Sequence, residues 1–259
     1  MIYFLIPVLD EEENIESLIS SLDSTSKEIK EDYRILFVND GSSDKTPEKI
    51  REKMESFPVD MLENSVNEGA GASFEKGFKH FIKISNSEDI VITIEGDNTG
   101  DLSILPKMLQ EIRNGKDFSL ASCYAKGGKL QNCPFERKFF SKVANLLCML
   151  LFRVPGARTY SSFYRAFSHK AISEVYMKFD HPVITEKGFV CMVEFLLKLH
   201  KAGFAFAEVP ATLFFDKRRG SSKLKIKSTI KSYLRLFLKF LLLKKSFSQK
   251  KLNRIGPLK

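Results

Sequence analysis

Continuous apolar runs alternate with amphipathic stretches through the first half of the chain. Runs rich in β-branched and aromatic residues predict buried strands, and apolar positions that recur every three or four residues predict helices. The predicted strands cover residues 2–8, 34–39, 59–63 and 90–95. The predicted helices cover residues 13–22, 44–56, 70–84 and 103–114. Strands that alternate with helices of this length predict βαβ units and a parallel sheet.

The alternation of predicted strands and helices is less regular in the second half of the chain. It predicts strands at 117–123 and 205–210, helices at 136–152 and 189–201, and an unassigned segment at 160–170. No internal repeat or low-complexity linker separates these elements. We therefore expect one α/β domain over residues 1–224, followed by a tail over residues 225–259.

Acidic residues follow two of the predicted strands. Residues 35–44 and 90–97 each run from an apolar stretch into carboxylates. Because ligands of open α/β sheets bind beyond the carboxyl ends of the strands, both acidic clusters should lie at one rim. Clustered carboxylates repel one another unless a cation lies between them, and a divalent cation carrying a diphosphate would supply that charge. The pattern therefore predicts a nucleotide-sugar site.

The two halves of the chain carry opposite charge. Residues 1–110 hold 11 Lys and Arg against 23 Asp and Glu, a net charge of −12, whereas residues 111–259 hold 30 against 9, a net charge of +21. The acidic half suits a metal, and the basic half suits anions or an anionic membrane surface. The chain shows no helix-turn-helix, zinc-finger or RNA-binding signature, so we expect no nucleic-acid partner.

Cysteine spacing and the first residues bear on the compartment. The four cysteines have neither the spacing of a zinc site nor that of a disulfide framework, which favours a reducing cytosol. The opening apolar run, residues 2–6, lacks a preceding basic region and ends at Pro7. We therefore interpret it as a first strand and not as a signal peptide.

Eight short motifs follow one another along the chain: PVLDEEENI (7–15), VNDGSSDKT (38–46), NEGAG (67–71), EGD (95–97), ASCYAKGG (121–128), RTYSSFYR (158–165), EVP (208–210) and GSSKL (220–224). The first four resemble family 2 glycosyltransferases of the GT-A fold, and the last four narrow the resemblance to the polyprenyl-phosphate sugar transferase branch, typified by dolichol-phosphate mannosyltransferase. The ordered set covers roughly residues 1–224. The resemblance implies a Rossmann-like, mostly parallel sheet flanked by helices, and a nucleotide-sugar donor.

Four motif residues are implied to contact the nucleotide. The resemblance places Pro7, Asp10 and Glu11 beside it and Asp40 against its base or ribose. The same residues have structural alternatives, since acidic residues favour the first turn of a helix and Asp commonly caps turns. Gly69 and Gly71 would let the backbone approach the nucleotide closely, although glycine is also an ordinary turn residue.

The Glu95-Gly96-Asp97 segment is the predicted metal site. Residues two apart at the end of an extended strand point the same way, so both carboxylates could face one Mg²⁺ or Mn²⁺ ion. The family usually has Gln where this chain has Thr99, and Asp101 is the nearest substitute ligand. A purely structural turn is the alternative.

An acceptor phosphate would need cations and no general base. A phosphate monoester is already largely ionised at neutral pH, because its second pKa lies near ~6, so it can attack the anomeric carbon once it is held in line. Arg137, Arg158 and Lys223 resemble the phosphate-handling residues of the family. The family often has a further arginine three residues before the Gly of its G-x-S-K motif. This chain has Lys217 at that position with Arg218 beside it, and the sequence does not decide which of the two contacts the phosphate.

The tail has the pattern of a basic amphipathic helix. A cation recurs at every fourth residue beside apolar positions, at Lys223, Lys227, Lys231, Arg235 and Lys239. Such a helix is predicted to lie in the membrane interface, with residues 143–152 as a second apolar contact; docking on the protein's own core is the alternative.

Together these features predict an inverting hexosyltransferase of cell-envelope glycan biosynthesis. Its donor would be GDP-mannose or a UDP-hexose, its acceptor a polyprenyl phosphate, and its place the cytoplasmic face of the membrane. One alternative acceptor is a saccharide hydroxyl, which would need a general base such as Glu186 or Glu194. A second alternative is a degenerate transferase fold that serves as a membrane-bound binding subunit.

Overall fold

A computed structural model describes residues 1–220 and 229–239 of the chain. The chain divides into two compact units, Met1–Ser222 and Lys223–Lys259. In the second unit, residues 229–239 are helical. None of the helices in the described part of the chain is both long and apolar enough to cross a bilayer.

Four strands and three helices form the first half of the larger unit. The strands are β1 (Ile2–Val8), β2 (Tyr33–Asn39), β3 (Val59–Glu63) and β4 (Ile90–Thr93), and the helices between them are α1 (Ile15–Glu28), α2 (Thr46–Lys53) and α3 (Ala70–Ile84). β1 pairs in parallel with both β2 and β4. The four predicted strands and the first three predicted helices are thus present, with ends that differ by up to six residues, the largest difference being at the end of α1.

The second half completes the sheet and adds a small ribbon. In chain order it contains α4 (Leu105–Arg113), β5 (Phe118–Ser122), β6 (Lys129–Gln131), α5 (Phe135–Phe152), β7 (Arg165–Ser168), α6 (His169–Lys178), α7 (Cys191–Lys201), β8 (Phe206–Pro210) and β9 (Thr212–Phe214). The main sheet has the order β3-β2-β1-β4-β7-β5-β8, and β6 pairs with β9. Only β7 of the main sheet runs antiparallel to its neighbours. The expected mostly parallel sheet is confirmed, whereas α6, β6 and β9 were not predicted and β7 lies in the segment left unassigned.

The side chains of β1 alternate between two buried layers. Phe4 and Ile6 belong to the core that α1 and α4 build on one face. On the other face, Tyr3 packs edge-on against Phe81 of α3, with ring centroids 5.2 Å apart. Because successive strand residues point to opposite faces, a strand covered on both sides must be apolar throughout. This explains why β1 reads as one continuous apolar run.

Candidate active site

The loops that follow β1, β2 and β4 meet at one rim of the sheet. The backbone N–H of Asp40 donates to the Val8 carbonyl over 2.9 Å, which ties the end of β2 to the end of β1. Gly96 lies so close to β1 that an added Cβ would be 2.9 Å from Cγ1 of Val8. The carboxyl ends of parallel strands share an edge. The predicted acidic clusters therefore do come together.

Asp10 fastens the first of these loops to the second. Its backbone is left-handed, with φ of 49°, an uncommon conformation for a residue other than glycine. Its Oδ1 accepts a 2.7 Å hydrogen bond from the Ser43 backbone N–H, and its own N–H donates to Oγ of Ser42. Contact between Asp10 and a nucleotide, like that of Pro7 within β1, stays a prediction.

Glu11 supports, through Asn14, the backbone of Arg219, which is distant in sequence. The side chain is nearly buried, and its Oε2 accepts a 2.7 Å hydrogen bond from Nδ2 of Asn14. Asn14 in turn donates to the Arg219 carbonyl and accepts from the Arg219 N–H, each over 3.1 Å. Glu11 and Asn14 therefore fix the backbone beside Arg218, and Asn14 is a contributor that the motif alone did not single out.

Asp40 organises the glycine-containing loop. Its buried carboxylate accepts hydrogen bonds from the backbone N–H groups of Glu68 and Gly69, over 2.9 and 2.8 Å. Gly71 packs against the following segment, since an added Cβ would lie 1.8 Å from the Glu186 carbonyl oxygen. At Gly69, φ is +95°, and an added Cβ would lie 2.5 Å from the Lys187 carbonyl oxygen. These contacts give both glycines a packing reason, while their approach to a nucleotide stays a prediction.

Glu95 presents a buried carboxylate oxygen without a hydrogen-bond partner in the described part of the chain. Its Oε1 accepts from the Phe163 N–H over 3.1 Å, whereas Oε2 has no such bond. Burial, followed by the nearby charge of Asp97, raises the pKa of Glu95 to about 7. A buried polar atom left unpaired is costly, which marks this oxygen as one that a cation would satisfy.

Asp97 contacts both Thr99 and Arg218. Its Oδ1 accepts from the backbone N–H and the hydroxyl of Thr99, over 3.2 and 2.6 Å. Its Oδ2 lies 3.3 Å from Nη1 of Arg218, and both side chains are largely buried. Asp101 is directed elsewhere, because its carboxylate accepts from the N–H groups of Ser103 and Thr212.

Glu95 and Asp97 suit a divalent cation shared with a diphosphate. No group of three or more His, Cys, Asp or Glu residues arranged to hold a metal occurs among residues 1–220 and 229–239. Mg²⁺ is commonly bound by one or two carboxylates together with substrate phosphates, so a complete protein cage is not required. The unpaired oxygen of Glu95 and the neighbouring carboxylate of Asp97 fit such a shared site. They are the residues that would hold the ion.

Two arginines approach these carboxylates from separate elements. Arg137, in the first turn of α5, lies over the Phe215 ring with Cζ 4.7 Å from the ring centroid. Burial and the charge of Arg218 lower the pKa of Arg137, whereas Asp97 acts in the opposite direction. Lys217 is directed away, with Nζ 4.5 Å from the Phe214 ring centroid. Of the two alternatives left open by the sequence, Arg218 is therefore the one at the carboxylates.

The other two predicted phosphate-handling residues, Arg158 and Lys223, are not seen beside Glu95 and Asp97 in the described part of the chain. The guanidinium of Arg158 is exposed, while the backbone N–H groups of Arg158 and Thr159 donate to Oε1 of Glu208. Lys223 and Lys227 lie outside the described residues. Sequence reasoning missed Phe215 beneath Arg137, because no pattern of the chain distinguishes it from the other phenylalanines.

Comparison with known proteins gives a consistent result. The sequence profile described as "Glycosyl transferase family 2" matches residues 3–176. The chain is 32% identical over 232 residues to dolichol-phosphate mannosyltransferase of Pyrococcus furiosus, covering 89% of this chain and 61% of that protein. It is 27% identical to polyprenol monophosphomannose synthase of Mycolicibacterium smegmatis, covering 85% of this chain and 79% of the relative. The chain thus spans less than two thirds of the first relative.

Solved structures share the fold at low sequence identity. Glucosyl-3-phosphoglycerate synthase from Mycobacterium tuberculosis, in complex with Mg²⁺ and UDP, aligns with a TM-score of 0.63 at 17% identity, covering 93% of this chain and 78% of that one. A second structure of that enzyme contains Mn²⁺, UDP-glucose and glycerol 3-phosphate, with a TM-score of 0.61 at 18% identity and coverage of 93% and 79%. The expected GT-A fold is confirmed by this likeness.

Proposed function

The chain belongs to glycosyl transferase family 2, and from this premise we propose that it moves a hexose from a nucleoside diphosphate sugar to a polyprenyl phosphate. The proposed sugar is mannose, because both relatives described above are named for mannose transfer. The observation that supports the acceptor most strongly is the convergence of two arginines on two carboxylates: Arg218 lies 3.3 Å from Asp97, and Arg137 lies beside Arg218.

In this proposal the carboxylates serve the donor. Asp97 and Glu95 would hold Mg²⁺ or Mn²⁺, which supplies charge neutralisation to the departing diphosphate. The hydroxyl and N–H of Thr99 keep Asp97 oriented through Oδ1. Asp40 keeps the loop at residues 68–69 in place beside the nucleotide through its backbone hydrogen bonds.

The arginines serve the acceptor in the same proposal. Arginine presents a planar fork that matches the oxygens of a phosphate, and such charge-assisted hydrogen bonds fix the geometry of attack. An ionised phosphate oxygen held behind the anomeric carbon attacks it in one displacement, so the configuration inverts and the nucleoside diphosphate leaves. Arg137 and Arg218 hold that phosphate; no protein side chain has to remove a proton.

The alternative with a saccharide hydroxyl as acceptor is less well supported, because Glu194, one of its two candidate general bases, is unsuited to accept a proton. Glu194 is engaged by the Thr185 hydroxyl and by Lys198 Nζ, over 2.7 and 3.0 Å. Burial alone would raise its pKa, but Lys198 and the hydrogen bonds from residues 185 and 186 bring it down to about 2. A carboxylate of that acidity is a poor proton acceptor at neutral pH.

The proposed location is the cytoplasmic face of the membrane, since the basic half of the chain would be attracted by the anionic lipids of that leaflet. Transfer can be tested with the purified protein, labelled GDP-mannose and UDP-glucose, Mn²⁺, and a polyprenyl phosphate. We expect label from GDP-mannose and not from UDP-glucose to enter the organic phase, and no transfer when the matching polyprenol without phosphate replaces the acceptor. Equal transfer to the polyprenol would contradict the proposal.

A further inference from the structure

Side chains from the surrounding elements hold the backbone of residues 158–163. This segment lies between α5 and β7 in the sequence and forms neither a helix nor a strand. Loops usually run over the surface, where water satisfies their backbone groups. Here the partners are side chains of α5, β7, β8 and the loop after β4. A loop held in this way has a fixed position relative to all four elements.

Asn145 joins this segment to α5. It is buried, together with Cys148 and Phe152 of the same helix. Its Nδ2 donates to the Arg158 carbonyl, and its Oδ1 accepts from the Tyr160 N–H over 3.1 Å. One side chain thus satisfies a backbone acceptor and a backbone donor two residues apart. Both the distance and the orientation of the segment relative to the helix are fixed by this pair of bonds.

Glu208 holds the same residues from β8 of the sheet. Its Oε1 accepts from the N–H groups of Arg158 and Thr159, over 2.5 and 2.8 Å. Its Oε2 has no hydrogen-bond partner in the described part of the chain, so a single oxygen makes both contacts. The Thr159 hydroxyl is also within 2.7 Å of the hydroxyl of Ser122, at the end of β5. Residues 158–160 are therefore held by the helix and the sheet together.

The other end of the segment supports a candidate metal ligand. The guanidinium of Arg165 is fully buried and donates to the carbonyls of Tyr160 and Ser162, over 2.6 and 2.9 Å. The N–H of Phe163 donates to Oε1 of Glu95 over 3.1 Å. A series of hydrogen bonds thus leads from α5, along the segment, to the carboxylate of Glu95.

Helix α5 also carries Arg137, eight residues before Asn145. Eight helical residues rise only about 12 Å, so the two residues keep a fixed spacing within the helix. Arg137 is assigned above to the acceptor and Glu95 to the donor. The helix, Asn145 and the segment at residues 158–163 connect these two groups by contacts that do not involve a substrate.

From this arrangement we infer that Asn145 and Glu208 are positioning residues, which set the spacing between the acceptor phosphate at Arg137 and the donor beside Glu95. The inference rests on the proposed function, which assigns these two groups to the two substrates. Both residues act through the backbone of residues 158–160.

Loss of this spacing should lower kcat more than it raises KM. Displacement needs the reacting atoms to be aligned at about 3–3.5 Å, and a misplacement of about 1 Å can cost on the order of 100-fold in rate. Without Asn145, Arg137 keeps its charge and can follow the phosphate, so binding persists while the alignment is lost. Loss of Arg137 itself has the opposite signature, because it removes the binding group.

Asn145→Leu removes both hydrogen bonds at nearly constant volume. Well below its melting temperature, we expect kcat to fall about 10- to 100-fold, with KM for the nucleotide sugar and for a short-chain polyprenyl phosphate within about three-fold of the parent values. Cys148→Ala is the control on the same buried face, since it removes packing and no backbone hydrogen bond, and should keep the parent kcat. An unchanged kcat in Asn145→Leu, or an equal loss in both variants, would overturn the inference.

Glu208 allows hydrogen bonding to be separated from charge. Because one oxygen accepts both bonds, the amide oxygen of Glu208→Gln can replace it, whereas Glu208→Leu has no acceptor. We expect kcat of Glu208→Gln to stay within about three-fold of the parent and that of Glu208→Leu to fall about ten-fold or more. Equal losses would show that the charge matters and the hydrogen bonds do not, which would overturn the inference.

Hydrogen exchange provides a measurement that does not depend on transfer. Backbone N–H groups of residues 158–163 should exchange about ten-fold faster or more in Asn145→Leu and Glu208→Leu than in the parent protein, and at the parent rate in Cys148→Ala. Unchanged exchange in the first two variants would overturn the inference. Absence of transfer by the parent protein would instead refute the proposed function, while the exchange result stands.

Discussion

Nη1 of Arg218 lies 3.3 Å from Oδ2 of Asp97, within a largely buried ion pair. The partner of Arg218 is the carboxylate that a divalent cation would need. Glu11 and Asn14 hold the backbone of Arg219 and thereby keep the neighbouring Arg218 at the rim. Cation binding at Asp97 and the ion pair with Arg218 therefore compete for one oxygen.

Removal of Arg218 should tighten metal binding in the absence of donor. Exposed ion pairs reach about 1 kcal/mol, which corresponds to roughly a five-fold change in dissociation constant, and this pair is largely buried; Arg218→Ala should therefore bind Mn²⁺ at least about five-fold more tightly. Electron paramagnetic resonance of free Mn²⁺ measures this. Arg219→Ala is the matched control, because the bonds of Arg219 to Asn14 come from its backbone. Equal affinities in all three proteins would show that no competition exists.

Asp97→Asn should abolish turnover while leaving the fold intact. The amide oxygen of asparagine can still accept from Thr99, but the charge that binds the cation is lost. Because even residues that only orient metal ligands contribute 10- to 100-fold, we expect kcat/KM to fall at least about 100-fold. Glu95→Gln should be milder. Full activity of Asp97→Asn at saturating donor, in protein with an unchanged melting temperature, would refute the metal site.

Gly71→Ala should destabilise the protein, because the new Cβ would lie 1.8 Å from the Glu186 carbonyl oxygen. Overpacking of this kind costs about 1–3 kcal/mol. Gly188→Ala is the control in the same segment, since nothing lies within 4 Å of its added Cβ. Urea unfolding of both variants measures the difference, and equal stability would contradict the observed packing.

Acidification should lower the free energy of unfolding through protonation of Glu194. Its folded-state pKa of about 2 lies below the ordinary 4.5, so its contribution is present above pH 4.5 and is lost as the pH falls toward 2. The shift corresponds to a contribution on the order of 3 kcal/mol at neutral pH.

The test compares two Glu–Lys pairs of the same spacing. Glu194→Gln should lower the unfolding free energy at pH 7 and flatten its decline between pH 5 and 3. Glu174→Gln removes an exposed partner of Lys178 and should change little, because exposed pairs are screened by solvent. If Glu194→Gln keeps the parent's acid dependence, Glu194 does not carry this contribution.

The strands of the sheet could be predicted because their burial is imprinted on the sequence. β1 is covered on both faces and reads as an unbroken apolar run, and α3 shows a regular apolar stripe over Ala70–Ile84. By contrast, β6 and β9 have three residues each and no fully buried residue, so neither alternation nor a continuous run identifies them. The antiparallel direction of β7 depends on pairing with β4 and β5, which local pattern does not encode.

The site was predictable where a residue type carries the chemistry. Glu95 and Asp97 stand out as carboxylates at a strand end, and they do lie at the rim. The contribution of Arg218 was not decided by the sequence, since Lys217 beside it has the same charge and only the fold directs one to Asp97 and the other to Phe214. Long-range contacts of this kind, such as Asn14 with Arg219, leave no periodic signal.

The most direct test of the account is the separate effect of Arg137 on the two substrates. We expect Arg137→Ala to raise KM for a short-chain polyprenyl phosphate about 10- to 100-fold, because charge-assisted hydrogen bonds contribute about 1.5–3 kcal/mol. KM for the nucleotide sugar should stay within about two-fold of the parent value, given that the carboxylates and not Arg137 are proposed to bind the donor. Lys170→Ala, which removes an exposed cation of α6, should change neither constant. A rise confined to the acceptor is the result that the account predicts, whereas an equal loss for donor and acceptor, or no change in either, would contradict it.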